Sequence, residues 1–315
     1  MTMPRLRYLG LTMLVAVPAL FSTGIWFAGN QLLYPSWNGA TKDLSRCGPA
    51  LASVWGEGCG NLRLTQALQF REVSVPSLNG YDLPGWLIGA ADNRREPAVG
   101  AILLVHGGGS DRREVTRHAS FFLDRRLDVL TLDLGCHGEA PCPVPGLSYG
   151  ERESQDIVSA YLYLAERYPR VLAMGSSVGA ASLLIALPAM PKLAGVIAEN
   201  PMASFERLIR ETPAAAAIPG WFSGLLIASA KWRGHFDGLL SPEHALPLVH
   251  GIPIFFIHSQ RDEIVPYQQS AQLAARYGGP KTIWWPERGG HSAIWDADPT
   301  AYETRLATFL AGLAL

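Results

Sequence analysis

The sequence lacks an excess of charge of either sign. Its 315 residues include 26 Lys and Arg and 27 Asp and Glu, so the formal net charge at pH 7 is −1. A chain with so balanced a charge implies neither nucleic acid nor an anionic surface as its partner. Internal repeats and low-complexity runs are also missing. Hydrophobic residues make up 48%, which is enough for a sizeable core and argues against disorder.

Cysteine is scarce, and its spacing does not support a zinc site. Cys47 and Cys59 lie between the N-terminal apolar stretch and the larger domain, and Cys136 and Cys142 lie in one later loop. No C-x-x-C pair or matching His spacing is present, so we predict no metal and no organic cofactor. An even cysteine count in an exported domain predicts disulfides. Three connectivities are open, of which the two local pairs are the simplest; in a reducing compartment the four would be free thiols.

Charge is absent from one long N-terminal stretch, Tyr8 to Thr41. Its apolar part, Leu9 to Ala28, would span about 30 Å as a helix, the thickness of a bilayer core. A cleaved signal peptide would have a shorter apolar region and a small-x-small cleavage site. We therefore predict an uncleaved anchor, with a signal peptide or a buried helix as alternatives. Arg5 and Arg7 should stay in the cytoplasm, which predicts that the remaining chain lies on the periplasmic or lumenal side.

The chain after the anchor divides into two further parts. We predict an anchor over 1–30, a connector with two cysteines over 31–70 and a catalytic domain over 71–315. In the last part a hairpin at 71–89 precedes apolar runs that alternate with helical patterns, which predicts an α/β fold with a mostly parallel sheet. Residues of about 201–248 are too many and too apolar for a loop, so we predict a small helical cap there. The sequence leaves the oligomeric state open.

The chemistry centres on the run Gly-Ser-Ser-Val-Gly at 175–179, which follows a predicted buried strand and opens a helix. This context predicts a nucleophile elbow with Ser177 as the nucleophile. A serine hydroxyl needs a base and an acid. His291, in a loop after the last strand, and Asp262, directly after the strand at 252–257, follow in the expected order. Glu199 also ends a strand and is the alternative acid.

Other histidines are assigned no catalytic role: we expect His258 to be structural and His118 to lie on a helix surface. The run His-Gly-Gly-Gly at 106–109 follows the third strand and could be an ordinary glycine-rich turn. In the context of the elbow it predicts an oxyanion site formed by the N–H groups of Gly108 and Val178.

The predicted cap is rich in apolar side chains. We expect four of them to line an acyl pocket, with packing inside the cap as an equal alternative: Trp221, Phe222, Leu225 and Leu226.

From about residue 71 to 315 the sequence resembles the α/β-hydrolase superfamily, and is most similar to membrane-anchored α/β-hydrolase-domain proteins and serine-aminopeptidase-like hydrolases. The resemblance rests on residues 103–107, 133–138, 175–179, 262–266 and 290–291. The group usually carries Arg-Gly-His-Gly in the second motif, whereas Gly135 and Cys136 stand there in this chain.

The resemblance implies an acyl-enzyme mechanism. It implies a serine hydrolase that cleaves carboxylic esters or thioesters, acting on small-molecule, apolar or lipid-like acyl substrates. Two alternatives stay open. One is a serine peptidase of the aminopeptidase type, for which Glu199 and Glu206 are weak candidates to bind a peptide terminus. The other is a catalytically silent binding protein.

Overall fold

The computed structural model describes residues 19–35, 43–89 and 97–313. Eight strands in these ranges form one sheet in the order β1-β2-β4-β3-β5-β6-β7-β8. The first hairpin and the pairing of β2 with β4 are antiparallel, and all other pairs are parallel. The predicted mostly parallel sheet opened by a hairpin is therefore confirmed. The strands are β1 (Phe70–Pro76), β2 (Asp82–Ile88), β3 (Gly100–Val105), β4 (Leu127–Leu132), β5 (Val171–Ser176), β6 (Gly195–Glu199), β7 (Ile254–Ile257) and β8 (Lys281–Trp284).

Helices cover both faces of the sheet and lie at its carboxyl edge. They are α1 (19–33), α2 (Pro49–Trp55), α3 (Leu62–Thr65), α4 (Ala119–Leu123), α5 (Glu151–Ala165), α6 (Val178–Ala186), α7 (Phe205–Glu211), α8 (Gly220–Gly234), α9 (Pro242–Ala245), α10 (Tyr267–Arg276), α11 (Ile294–Ala297) and α12 (Pro299–Ala311). Short 3-10 turns occur at Glu57–Gly60, Thr116–His118, Leu187–Ala189, Pro213–Ala217 and Leu246–Leu248.

The central strands are apolar throughout because helices cover both of their faces. All six residues of β3 are buried. Leu103 and Val105 pack with α5 and α6 on one face, whereas Ile102 and Leu104 pack with α4 and α12 on the other. This two-sided burial is the reason that the strand reads as a continuous apolar run rather than as an alternating one.

The register of the parallel strands brings the motif loops to one edge. Val105 of β3 is level with Gly175 of β5, and Ser176 is level with Glu199 of β6. The loops that follow β3, β5, β6 and β7 therefore meet at the carboxyl edge of the sheet, the place where open α/β sheets bind their ligands.

The described end of the N-terminal stretch packs on this same edge. Leu33, at the end of α1, is fully buried in a cluster that includes Phe205 of α7 and Ile227 of α8. Its carbonyl oxygen accepts a 3.0 Å hydrogen bond from the Leu147 N–H, and the Tyr149 hydroxyl donates to the Leu32 carbonyl at 2.8 Å. Residues 29–35 thus pack as part of the domain.

The predicted anchor lies partly outside the described residues. Residues 9–18 are not described, and residues 19–28 belong to α1. Within 19–35, 43–89 and 97–313, no helix combines the length and the apolar character needed to span a bilayer.

The two local disulfides are confirmed. Cys47 is bonded to Cys59, and Cys136 is bonded to Cys142. The other two connectivities that the sequence left open are therefore wrong. The first bridge joins the segment just before α2 to the turn at Glu57–Gly60, and the second closes the loop after β4.

Candidate active site

Ser177 occupies a sharp turn between β5 and α6. Its backbone has φ 52° and ψ −118°, a conformation that residues other than glycine rarely adopt. Close approach explains the flanking glycines, because a Cβ at Gly179 would lie 2.3 Å from the His106 carbonyl oxygen and one at Gly175 would lie 2.7 Å from the Gly179 carbonyl oxygen. The strand–turn–helix geometry that the sequence predicts is present.

The three residues singled out by chain order meet in one line of hydrogen bonds. The Ser177 Oγ lies 2.7 Å from the His291 Nε2, and the His291 Nδ1 lies 2.6 Å from the Asp262 Oδ2. Because a carboxylate only accepts hydrogen bonds, we assign the imidazole proton to Nδ1. Nε2 is then an acceptor for the Ser177 hydroxyl, which is the arrangement required of a general base.

The Asp262 carboxylate is held by several donors. Its Oδ1 accepts the N–H groups of Ile264 and Val265, each at 2.8 Å, and its Oδ2 lies 3.0 Å from the His258 Nε2. Burial would raise the pKa of Asp262, but hydrogen bonds and charge from His258 and His291 outweigh burial and lower this pKa below its ordinary value. His258 acts on the acid rather than on Ser177, which agrees with a structural role.

The loop that carries His291 is pinned on several sides. The Asn200 side-chain amide donates to the His291 carbonyl oxygen, and its oxygen accepts the Ser259 N–H at 3.2 Å. The Ser259 hydroxyl donates to the Gly289 carbonyl oxygen, and the Glu263 carboxylate accepts the His291 N–H at 3.2 Å. Asn200 and Ser259 belong to no motif, and Glu263 lies in the motif at 262–266 without a role that the motif predicts.

Glu199 and Glu206, the other carboxylates considered, have different partners. The buried Glu199 accepts a hydrogen bond from the Tyr302 hydroxyl. Glu206 forms a 2.6 Å ion pair with Lys231. Asp262, and not Glu199, is the carboxylate hydrogen-bonded to His291.

The expected surface position of His118 is wrong. His118 is buried and stacks on Tyr302 with 5.7 Å between ring centroids. His118 directly precedes α4, and its side chain faces α12. A histidine that was predicted to be solvent-exposed is therefore part of the core.

The loop after β3 approaches Ser177 closely. The Gly107 N–H donates to the Glu114 Oε2 at 2.8 Å, which fixes the direction of the loop. A Cβ at Gly108 would lie 2.6 Å from the Val178 Cγ2, so only glycine allows this contact. Gly108 and Val178 line the same cavity as Ser177 and His291.

Two buried histidines support this loop from behind. His106 donates through Nδ1 to the Gly107 carbonyl oxygen at 2.8 Å and accepts the Leu134 N–H through Nε2 at 3.1 Å, so it is neutral. The His137 ring lies 4.9 Å from it. Burial, with a smaller contribution from His106, lowers the pKa of His137 to about 4.

A cavity of about 490 Å³ opens in front of Ser177. Most of its wall is apolar and comes from five separate segments: the end of α1, helix α2, the loop before α5, α7 with its preceding turn, and the loop between β7 and α10. The wall includes Leu32, Pro35, Leu51, Val54, Trp55, Leu147, Tyr149, Met202, Leu208, Ile209, Ile264 and Val265. The volume and the lining fit an acyl chain.

The four cap residues expected in an acyl pocket do not line this cavity within the described part of the chain. Trp221 and Leu225 are 62% and 46% exposed, and Leu226 is buried against α1 and α7. Trp221 and Phe222 both contact the Phe21 ring on α1, at centroid distances of 5.5 and 5.6 Å. Helix α8 therefore packs outside α7, and α7 forms the wall in its place.

Two polar residues of the wall, and the contribution of the connector, were not predicted from the sequence. Ser110 and Glu114 line the cavity, as do Gln31 of α1 and Trp55 of α2. The spacing of Glu114, seven residues after Gly107, could have indicated it; nothing in the sequence of the connector indicates that it folds back on the site. In the described ranges, no cluster of three His, Cys, Asp or Glu side chains is arranged to hold a metal ion.

A model of the alpha/beta hydrolase family matches residues 102–304, which include the elbow, the acid and the histidine. The chain belongs to this family. Its sheet order and flanking helices are accordingly an α/β-hydrolase fold with a mostly parallel, eight-stranded sheet.

Relatives of this α/β hydrolase occur in bacteria. The chain is 26% identical over 243 residues to the uncharacterised protein YqkD of Bacillus subtilis, a match that covers 75% of this chain and 77% of YqkD. It is 24% identical over 242 residues to the uncharacterised protein YfhR of Escherichia coli strain K12, covering 76% and 79%.

Solved structures show the same fold. An esterase of Pyrococcus furiosus, Pf2001, superimposes with a TM-score of 0.63 at 18% identity, over 78% of this chain and 92% of the esterase. An acylaminoacyl peptidase of Pyrococcus horikoshii superimposes with a TM-score of 0.59 at 18% identity, over 79% of this chain and 42% of the peptidase. At this identity the likeness concerns the fold alone.

Proposed function

We propose that this α/β hydrolase is a serine hydrolase that cleaves carboxylic esters or thioesters of apolar acyl groups. One observation carries the proposal: the hydrogen-bonded line from Ser177 through His291 to Asp262 ends at the mouth of an apolar cavity. A base oriented by a buried carboxylate is the device that makes a serine hydroxyl nucleophilic.

In the proposed reaction the Ser177 Oγ attacks the substrate carbonyl carbon as its proton moves to the His291 Nε2. Asp262 orients the imidazole and stabilises the imidazolium that forms. The N–H groups of Gly108 and Val178 hold the oxyanion, aided by the N-terminus of α6. His291 then protonates the leaving oxygen or sulfur, and a water molecule, activated by the same imidazole, hydrolyses the acyl-enzyme.

The test is labelling with a fluorophosphonate, which forms a covalent bond with activated serines. We expect the full chain to be labelled at Ser177, and both labelling and ester hydrolysis to be lost in Ser177→Ala and His291→Ala. Ser176→Ala is the matched control, because Ser176 is the neighbouring serine. If Ser177→Ala is still labelled and active, or if the wild-type chain neither reacts nor hydrolyses any ester, the proposal fails and a binding protein on this fold is the remaining hypothesis.

The acyl specificity has its own test. A series of 4-nitrophenyl esters from acetate to dodecanoate should show kcat/KM rising with chain length until the cavity is full, because each buried methylene contributes about 0.8 kcal/mol. A flat profile, or a maximum at acetate, would contradict an apolar acyl pocket.

We further propose that the N-terminal segment anchors the enzyme, with the catalytic domain on the extracytoplasmic side. Support comes from the uncharged stretch after Arg5 and Arg7, and from exposed aromatic side chains on α1 and α8, among them Trp26, Trp221 and Trp232. After an alkaline carbonate wash the full chain should stay with the membrane, and a chain lacking residues 1–18 should be released. Recovery of the full chain in the wash would contradict the anchor.

A further inference from the structure

One part of the cavity wall is polar. Beside Gly107, the side chains of Ser110 and Glu114 line the cavity, and each residue is 6% exposed. Among the lining residues that the structure describes, Glu114 is the one carboxylate, and none is a lysine or an arginine. A largely apolar cavity therefore contains one carboxylate.

The polar atoms at this point are only partly used. The Glu114 Oε2 accepts the Gly107 N–H at 2.8 Å. The Ser110 N–H donates to the Gly107 carbonyl oxygen at 3.3 Å, but the Ser110 Oγ is buried without a hydrogen-bond partner in the described ranges. Buried hydroxyl groups are rarely left unpaired in native proteins, so this one indicates a polar group that arrives with a ligand.

The Glu114 carboxylate and the Ser177 side chain flank Gly107. A Cβ placed on Gly107 would be 3.6 Å from the Glu114 Oε2 and 3.6 Å from the Ser177 Cβ. A negative charge beside Gly107, which Ser177 also flanks, disfavours the oxyanion that forms on the substrate. The nearby Arg117 contacts Asp296 at 3.3 Å and the Val54 carbonyl oxygen at 3.1 Å, and no hydrogen bond or ion pair joins it to Glu114 in the described residues. A cationic group on the substrate would offset the charge.

We propose that Glu114 and Ser110 form a subsite for a protonated amino group on the acyl part of the substrate, close to the scissile carbonyl. The proposal rests on the serine hydrolase function proposed above and names its substrate class: esters or amides of apolar amino acids with a free amine. The ammonium group donates to the Glu114 carboxylate and to the Ser110 Oγ, while the apolar side chain extends along the rest of the cavity.

The competing role for Glu114 is to hold the Gly107 loop and nothing more. Glu114→Gln separates the two roles, since the amide oxygen still accepts the Gly107 N–H while the charge is removed. Three substrates of equal shape complete the design: the 2-naphthyl esters of leucine, of 2-hydroxy-4-methylpentanoic acid and of 4-methylpentanoic acid. They place an ammonium group, a hydroxyl group or hydrogen at the same carbon.

The measurement is kcat/KM of the full chain for each ester. In Glu114→Gln the ratio of the leucyl ester to the 4-methylpentanoyl ester should fall about 10- to 100-fold, the range for a lost hydrogen bond to a charged group. In Ser110→Ala the ratios of the leucyl and the hydroxyacyl ester to the same reference should fall about 10-fold. Glu166→Gln is the matched control, because the Glu166 side chain is 74% exposed, and it should keep the wild-type ratios.

Equal losses on all three esters in Glu114→Gln would reduce Glu114 to a positioning residue and overturn the proposal. An unchanged ratio would overturn it as well. Hydrolysis that depends on Ser177 but shows neither selective effect would refute the subsite and leave the hydrolase standing. If the wild-type chain turns over none of the three esters and is not labelled by a fluorophosphonate, both proposals fail.

Discussion

At the scale of single residues, Asp262 and His291 use nearly all of their hydrogen-bonding capacity. Asp262 receives two backbone N–H groups besides two imidazoles, so it is fixed before any substrate arrives. The imidazole of His291 is in turn held in one tautomer. Such pre-arrangement matters because the reaction then requires little reorganisation of the site.

Asp262→Asn tests that arrangement. The amide would keep the shape but would present an N–H group or a weaker acceptor to the His291 Nδ1, which disturbs the tautomer that leaves Nε2 free to accept the Ser177 proton. We expect kcat to fall by about 10⁴-fold with little change in KM, as for other triads. Steady-state kinetics on a soluble ester measure this effect. A severe loss in Glu199→Gln with a mild one in Asp262→Asn would instead assign the acid to Glu199.

His137 makes the stability of the fold depend on pH. In the unfolded chain this imidazole takes up a proton near pH 6.5, whereas in the folded protein its pKa is about 4. Between these values the unfolded state binds more protons, so the free energy of unfolding falls as the pH falls, by up to about 3 kcal/mol for this group.

Urea unfolding at pH 6.5, 5.5 and 4.5 measures the dependence on His137. His137→Asn should make it shallower, because the variant has no imidazole to protonate. His250→Asn, at an exposed histidine, is the matched control and should follow the wild type. A His137→Asn variant with the wild-type slope would show that other groups dominate acid unfolding.

At the scale of elements, the Ser177–His291–Asp262 line and the cavity wall come from different parts of the chain. The sheet supplies the reacting groups, while α1, α2 and α7 supply most of the wall. Helix α8 lies behind α7 and contacts α1 through Trp221 and Phe222. The shape of the cavity therefore depends on α7 and on two helices that precede the sheet in the sequence.

Ile209→Trp tests the role of α7. Ile209 is 7% exposed and lines the cavity, so an indole there would fill space that a long acyl chain needs. We expect kcat/KM to fall by about 10-fold or more for decanoyl esters relative to acetyl esters. Arg210→Trp places the same bulk one residue further on, on the exposed side of α7, and should retain the wild-type preference. Equal preferences in the two variants would remove α7 from the acyl site.

The elements of the sheet were predictable from the sequence, and the wall was not. A strand that is buried on both faces has an apolar run in its sequence, such as Ala101 to Val105. The sharp turn at Ser177 requires small neighbouring residues. Both features can be recognised from the local sequence. Which face of a helix meets a cavity depends on distant partners. Trp221 is a large apolar residue of the kind that lines pockets, but α7 separates it from the cavity. Glu114 lines the cavity because it accepts the Gly107 N–H in the folded loop, a contact that the sequence does not reveal.

At the scale of the whole molecule, residues of the predicted connector form part of the cavity wall. The Cys47–Cys59 bridge encloses Leu51, Val54 and Trp55, all of which line the cavity. Arg113 binds the carbonyl oxygens of Leu44 and Arg46, at 3.0 and 2.8 Å, and so ties the same segment to the loop after β3.

Removal of that bridge should affect stability and substrate selection together. On chain-entropy grounds, replacing Cys47 and Cys59 by serine should lower the free energy of unfolding by about 2–3 kcal/mol. It should also weaken the preference for long acyl esters, because part of the wall loses its support.

The matched control replaces Cys136 and Cys142. These cysteines are 6 positions apart in the sequence, against 12 for Cys47 and Cys59, and the residues of their shorter loop do not line the cavity in the described structure. That variant should lose a comparable amount of stability and keep the preference. If both double variants keep the wild-type preference, the Cys47–Cys59 bridge contributes to stability and has no effect on substrate preference.

The docking of α1 on the cavity has a consequence for the timing of activity. The wall combines Gln31 and Leu32, which leave the ribosome early, with His291 and Ser292, which leave it near the end of synthesis. A nascent or partly translocated chain thus carries the first part of the pocket without its base. The proposed ester cleavage can begin only when almost the entire polypeptide has been synthesised and folded, so a partial chain carries no such activity.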